Sequence, residues 1–268
     1  MQDLGKTLLL ILLTAFSATL AAAPFGYSVN SDDGSEAYHD GLYRINLEDG
    51  TDERIGTVLS NLDTRLDVEG LAFSPNGVLY GIDDETLKLF PIDPNTALVD
   101  TSNEVLLKGA NLTIKENDFG LTFACDDTLY ATSVAKKSLY KIALDGTVTP
   151  IGVTGVNIVA IAAYGNNPVE LYGLGHGDGF ANLYKINPVT GAIMETHALS
   201  GSFAAYTEGG LAFDDDGQLW AITDRSLSLT PQASQIMKIN KANGAVTVES
   251  STTAVGSGGD APFSANQA

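Results

Sequence analysis

Glu69-Gly70-Leu71-Ala72-Phe73-Ser74-Pro75-Asn76-Gly77-Val78-Leu79-Tyr80-Gly81-Ile82-Asp83 decides the fold of this chain. It reads as two short strands joined by a tight turn. Leu71, Phe73, Leu79 and Ile82 are apolar, Pro75-Asn76-Gly77 supplies the turn, and Tyr80 suits a pleated surface. The phrase returns as Gly120-Leu121-Thr122-Phe123 before Leu129-Tyr130, and as Gly210-Leu211-Ala212-Phe213 before Leu219-Trp220. Ile161-Ala162-Ala163-Tyr164 before Leu171-Tyr172-Gly173 is a looser copy. A second hairpin alternates with the first. Its leading strands are Leu42-Tyr43-Arg44-Ile45-Asn46, Leu89-Phe90-Pro91-Ile92-Asp93, Leu139-Tyr140-Lys141-Ile142, Leu183-Tyr184-Lys185-Ile186-Asn187 and Ile236-Met237-Lys238-Ile239-Asn240. Each runs into a turn containing Gly, Asn, Asp or Pro.

Two hairpins per repeat make a four-stranded unit. The first-hairpin aromatics Tyr27, Tyr80, Tyr130, Tyr172 and Trp220 recur roughly every 42 to 53 residues, the period of propeller blades. Nowhere between them is an apolar period near 3.6 sustained, as a helix would require. The expected fold is therefore all-β, a five-bladed β-propeller with one blade closed by N- and C-terminal strands. The segment around Tyr27 lacks a preceding inner strand, and Ser257 to Phe263 has the length and position to supply it. Pro262 is awkward there, because proline brings no N–H to a ladder. Closure of this kind removes the exposed edges of a linear array.

Net charge is -19 with a pI near 4.2, which argues against nucleic acid and anionic membrane as partners. Residues 1–23 read as a signal peptide, with Lys6, an apolar run from Leu8 to Leu13, and small residues at Ala21-Ala22-Ala23. That run is short beside the roughly 20 residues of a spanning helix, and no second hydrophobic span follows. The mature domain, 24–268, is thus expected to be exported, periplasmic or extracellular, without a membrane span. Cys125 is the single cysteine, so no intramolecular disulfide forms. Its place after Phe123-Ala124 suggests a small buried thiol.

With strands A to D counted from the channel outward, the A–B and C–D turns are short. The longer, more variable segments are B–C and D–A connections, which emerge on one shared face. Near that face lie Asp83, Asp84, His176, Asp178 and Asp224, the candidate ligand-binding residues. Glu69, Asp118, Glu208 and Asp260, with Asn157, stand at or before the inner-strand starts. Converging on the channel mouth, those oxygens suit a hard cation such as calcium. Asp214-Asp215-Asp216-Gly217 occupies a turn position and lacks the downstream Glu of an EF-hand. No Gly-x-Ser-x-Gly elbow, Walker loop, dinucleotide fingerprint or zinc spacing occurs, and no catalytic residue is assigned.

The recurring Leu-Tyr-x-Ile-Asn/Asp turn, paired with Gly-Leu-Ala-Phe-x-x-x-Gly-x-Leu-Tyr-Gly-Ile, resembles the repeats of exported bacterial propellers of uncharacterised function. A weaker similarity is to the senescence marker protein-30 and gluconolactonase family. There an inner-strand Glu-Gly, here Glu69-Gly70, joins Asn and Asp from other blades around a divalent cation. That family has six blades where the repeats here indicate five. The readings these features support are a binding module for a protein, glycan or small molecule, a cation-dependent hydrolase of esters or lactones, and a structural component of a surface layer or matrix.

Overall fold

The computed structural model describes residues 23–30, 41–60, 64–65, 67–109, 118–175, 181–223, 233–252 and 263–265. The chain begins with β1 (Phe25–Asn30), β2 (Gly41–Asn46) and β3 (Asp52–Thr57), then a small hairpin, β4 (Leu59–Ser60) and β5 (Thr64–Arg65). Next come β6 (Val68–Phe73), β7 (Leu79–Asp83), β8 (Lys88–Ile92), β9 (Val105–Leu106) and β10 (Lys108–Gly109). They are followed by β11 (Phe119–Phe123), β12 (Leu129–Ser133), β13 (Ser138–Ile142) and β14 (Thr147–Val153). The next four are β15 (Ile158–Tyr164), β16 (Glu170–Gly175), β17 (Asn182–Ile186) and β18 (Ile193–Ala198). The last are β19 (Gly209–Phe213), β20 (Leu219–Thr223), β21 (Ser234–Ile239), β22 (Val246–Thr252) and β23 (Phe263–Ala265). The described residues contain no helix.

Besides the β4-β5 hairpin, five sheets result, ordered β23-β1-β2-β3, β6-β7-β8-β9, β11-β12-β13-β14 with β10 added in parallel beyond β14, β15-β16-β17-β18 and β19-β20-β21-β22. These are blades one to five. Their first-named strands touch in the order β23, β6, β11, β15, β19 and back to β23, so they line the axis of a closed ring. The expected five-bladed propeller is the observed one. The closing strand lies slightly later than the sequence suggests. Ser28 pairs with Phe263, Tyr27 with Ser264 and Gly26 with Ala265, and the expected segment from Ser257 through Pro262 lies outside the described residues.

Hydrophobic packing is divided between the blades. Five buried clusters occur, one at each seam, including the seam of blades five and one, where Trp220 and Ile236 meet Tyr43 and Ile45. The repeated aromatic of each second strand faces the inner strand of the next blade. Tyr27 pairs with Phe73 at 5.5 Å, Tyr80 with Phe123 at 5.5 Å, and Tyr172 with Phe213 at 5.7 Å. Ring pairing adds about 1 kcal/mol, whereas burying a Phe side chain contributes about 2 kcal/mol, so burial dominates each seam.

The outer rim closes in the same sense. The C–D turn of each blade rests on the outer strand of the blade before it. A Cβ on Gly50 would fall 2.2 Å from the Ser251 carbonyl oxygen, one on Gly146 2.2 Å from that of Leu106, and one on Gly244 2.8 Å from that of Ala198. In blade two Ala97 takes the left-handed place at φ 62, and it faces Gly56, where a Cβ would fall 3.3 Å from the Ala97 methyl.

Cys125 departs from expectation. Ala124 takes the last inward place, and the chain turns at Cys125-Asp126-Asp127 before Ala124 N donates a hydrogen bond to Thr128 O, leaving the thiol exposed. Asp214, in the matching turn of blade five, accepts from Gln218 N at 2.8 Å and from the Trp220 indole at 2.7 Å, as turn chemistry requires.

Charge also ties blades four and five. Glu170 accepts from Lys185 Nζ at 2.6 Å and from Lys241 Nζ at 3.2 Å, the latter reaching across from blade five. Lys185 chiefly, and Lys241 in addition, hold the Glu170 carboxyl below the ordinary value of 4.5. A depressed folded pKa contributes stability that is present above the unfolded value and lost as pH falls through the folded one. Glu170→Gln should therefore melt below the parent at pH 7, and the gap should close only below about pH 4 in a pH series of thermal melts.

Candidate functional site

Blade two carries a cluster of carboxylates at the end where the long connections emerge. Asp67 immediately precedes β6, Glu69 lies within it, and Asp84 follows β7. One side-chain oxygen from each lies within 4.8 Å of the others. Glu69 is 6% exposed and Asp84 2%, while Asp67 is half-buried.

A β-bulge shapes this arrangement. Val68 pairs with Asp83 and Gly70 with Ile82, leaving Glu69 as the extra residue of the inner strand. Asp83 faces the backbone. Its Oδ1 accepts from Thr86 N at 2.6 Å and its Oδ2 from Asp67 N at 3.1 Å. Burial pushes the Asp83 pKa up, and these hydrogen bonds offset it only in part. Asp83 thus clasps the B–C turn to the start of the inner strand and sets Asp84 beside Asp67. Ser133 makes the same turn contact in blade three, its Oγ accepting from Lys136 N at 3.1 Å.

The bulge also changes which residues correspond between blades. Phe119 pairs with Ser133, Ile158 with Gly175 and Gly209 with Thr223, as Val68 does with Asp83. The residue opening each inner strand is therefore Asp67, Asp118, Asn157 or Glu208. Glu69 has a counterpart only where blade four bulges in turn, and there the residue is Val159. Among the described residues, the one group of three potential metal-ligating acids is Asp67, Glu69 and Asp84. The sequence suggests different roles for Glu69 and Asp84, and the structure brings them together. Asp67 escapes the sequence reading because alignment on Gly-Leu-Ala-Phe puts Glu69 in its column. Counting back from the strand partner of Asp83 recovers it. His176, Asp178, Asp224 and Asp260, and the leader through residue 22, lie outside the described residues.

Three carboxylates at this separation repel one another, and burial strengthens the repulsion. A divalent cation relieves it, and an all-oxygen donor set suits a hard ion. The group can hold a metal ion. On the same face, between blades four and five, runs Leu199 to Glu208, pinned by Gln235 Oε1, which accepts from Ala204 N at 2.7 Å, and by the Tyr206 hydroxyl, which donates to Gly175 O at 3.2 Å. Tyr206 is buried, and burial raises its pKa strongly. No helix among the described residues is long and apolar enough to cross a membrane.

The sequence matches no protein-family model and no curated protein. Among solved structures, a chain of the nidogen/laminin complex is similar with a TM-score of 0.51 at 11% identity, over 84% of this chain and 76% of that one. A gluconolactonase from Xanthomonas campestris has a TM-score of 0.49 at 14% identity, over 84% of this chain and 75% of its own. Hydrazine synthase from Kuenenia stuttgartiensis has a TM-score of 0.45 at 17% identity over 69% of this chain, which spans only 50% of that structure's chain. At such identities the likeness is one of fold.

Proposed function

We propose that this protein is an exported binding module whose long-loop face takes a protein, glycan or small ligand, with a divalent cation, calcium by its donor chemistry, held by Asp67, Glu69 and Asp84. The observation that supports this reading is the meeting of three carboxylate oxygens within 4.8 Å, two of the side chains buried, at the end of the blade where the long connections emerge. The cation would neutralise the cluster and stiffen the junction of the inner strand with the B–C turn. A rigid propeller presenting a braced loop face is suited to recognition.

Thermal melting in calcium and in chelator tests the cation. At about a hundredfold excess over Kd, calcium should raise the melting temperature by roughly 5–10 °C. Glu69→Gln and Asp84→Asn should each abolish most of that shift, and by relieving the repulsion each should raise the melt in chelator above that of the parent. A melt indifferent to calcium and chelator would remove the cation from the proposal. For the binding face, glycan-array or pull-down signals lost on substituting exposed positions of Leu199 to Glu208 are the expected result. Calcium-dependent turnover of a lactone or ester, itself lost in Glu69→Gln, would replace the binding reading with a hydrolase.

A further inference from the structure

The opposite face, where the short turns lie, carries a different cluster at the seam of blades four and five. Lys241, in the turn after β21, places Nζ 3.6 Å from the centre of the Tyr164 ring, 5.6 Å from Phe213 and 5.7 Å from Tyr172. Glu170 Oε2 accepts a hydrogen bond from the same ammonium at 3.2 Å. The Tyr164 and Phe213 centroids are 4.8 Å apart and those of Tyr172 and Phe213 5.7 Å, so three rings and one carboxylate surround the Lys241 ammonium, while Lys185 lies over Tyr172 at 5.8 Å on its own ladder.

This box is not a product of the repeat. Elsewhere a lysine lies over the ring directly opposite it in the ladder, as Lys141 does over Tyr130 at 5.5 Å and Lys238 over Trp220 at 4.7 Å. Lys241 comes instead from a turn of the neighbouring blade and meets three rings. At its turn position the sequence has Leu47, Pro94 and Pro188 in other blades, and at that of Tyr164 it has Ser74, Ala124 and Asp214.

Two of the three ring walls are buried, and the occupant reaches in from a turn of the neighbouring blade. Tyr164 lies against Gly217, where a Cβ would fall 2.8 Å from the ring, and Tyr172 and Phe213 are buried. Lys185 anchors Glu170 through Oε1, leaving Oε2 toward the box. The Lys241 side chain is 32% exposed and Tyr164 38%, so the box opens to solvent. A lysine ammonium is strongly hydrated and has three N–H groups to satisfy, and among the described residues Glu170 is its one hydrogen-bond acceptor. An alkylated ammonium has few or no N–H groups and is weakly hydrated, so ring faces and one carboxylate satisfy it fully.

We infer that the box formed by Tyr164, Tyr172, Phe213 and Glu170 is a binding site for methylated or quaternary ammonium groups, with Lys241 as a tethered occupant that such a ligand displaces. The site lies on the other face from the carboxylate cluster and does not depend on it.

Titration of the full chain with tetramethylammonium chloride, against sodium chloride at equal ionic strength, tests this by the NMR shifts of the tyrosine rings. The unmodified protein should show a saturable shift specific to tetramethylammonium. Lys241→Ala should bind at least about tenfold tighter, because the internal competitor is gone. Adding Tyr164→Ala to that variant should remove the binding. No saturable shift in folded Lys241→Ala would overturn the proposal and leave the box as an internal clamp. Should that variant fail to fold, the unmodified protein decides alone: equal response to tetramethylammonium and sodium would overturn the proposal as well.

Discussion

Deleting residues 263–268 should abolish cooperative unfolding of the whole domain, although it removes only one short strand. β23 pairs with β1 across Gly26, Tyr27 and Ser28, and it also touches β19 and β6. Without it, blade one loses its inner strand, and the inner strands of blades five and two lose the neighbour between them. The edges of β1 and of the opened ring would then present unpaired backbone groups to solvent and to other chains. The expected signs are a broad melt, dye binding and association. A synthetic peptide covering residues 257–268, added during refolding, should restore a single transition by supplying the strand in trans. A truncated chain that melts cooperatively near the parent temperature would show that closure contributes little. Leu106→Ser, at a side chain 61% exposed on the outer rim, serves as the near-neutral control.

Gly120→Ala should destabilise the domain strongly, although it adds a single methyl to an inner strand. Added at Gly120, a Cβ would lie 2.5 Å from Thr132 Oγ1, 2.9 Å from Ile161 N and 3.0 Å from the Ala160 carbonyl carbon. Two of those atoms belong to the backbone of the next blade, which cannot step aside without shifting β15. The same crowding recurs at Gly70, where a Cβ would fall 2.9 Å from Phe119 O and from Leu121 Cβ. At these two positions the inner strand approaches the next blade too closely to leave room for a side chain. Overpacking of this kind should cost about 3 kcal/mol, which corresponds to a fall of roughly 10 °C in melting temperature. Gly77→Ala is the informative comparison. Gly77 has φ +77 and nothing within 4 Å of where a methyl would sit, so its cost is backbone strain alone, about 1 kcal/mol. If the two variants melt alike, close packing at the axis is not what those inner glycines are for.

Turn residues and strand alternation are local, and the sequence shows both. A hairpin of Leu71, Phe73, Leu79 and Ile82 around Pro75-Asn76-Gly77 announces itself within a single short stretch, and its return down the chain implies the ring. Even the closing strand follows, since a blade with no inner strand at one end of the chain requires one from the other. Register is a different matter. Whether Glu69 stands in the column of Asp118 or outside it depends on an extra residue absorbed opposite Ile82 and Asp83, and only the hydrogen-bonded partner strand shows that.

The same divide separates the candidate sites. Glu69 is readable as an acid at the channel mouth, and Asp83 and Asp84 as acids on the long-loop face, but their division of labour is not. Asp83 holds the turn while Asp84 joins Asp67 and Glu69, because hydrogen-bond geometry rather than residue type assigns those tasks. Cys125 reads as an inside residue and lies outside, since the strand ends earlier than its apolar run implies. The box around Lys241 has no sequence signal at all: Glu170 and Lys241 stand 71 positions apart and meet only across the seam of two blades. Sequence alone determined the repeated unit, the number of blades and the closure, because each is encoded in neighbouring residues and repeated. Tertiary structure alone decided which side chains share a site, because bulges and blade seams bring together residues that no local pattern connects.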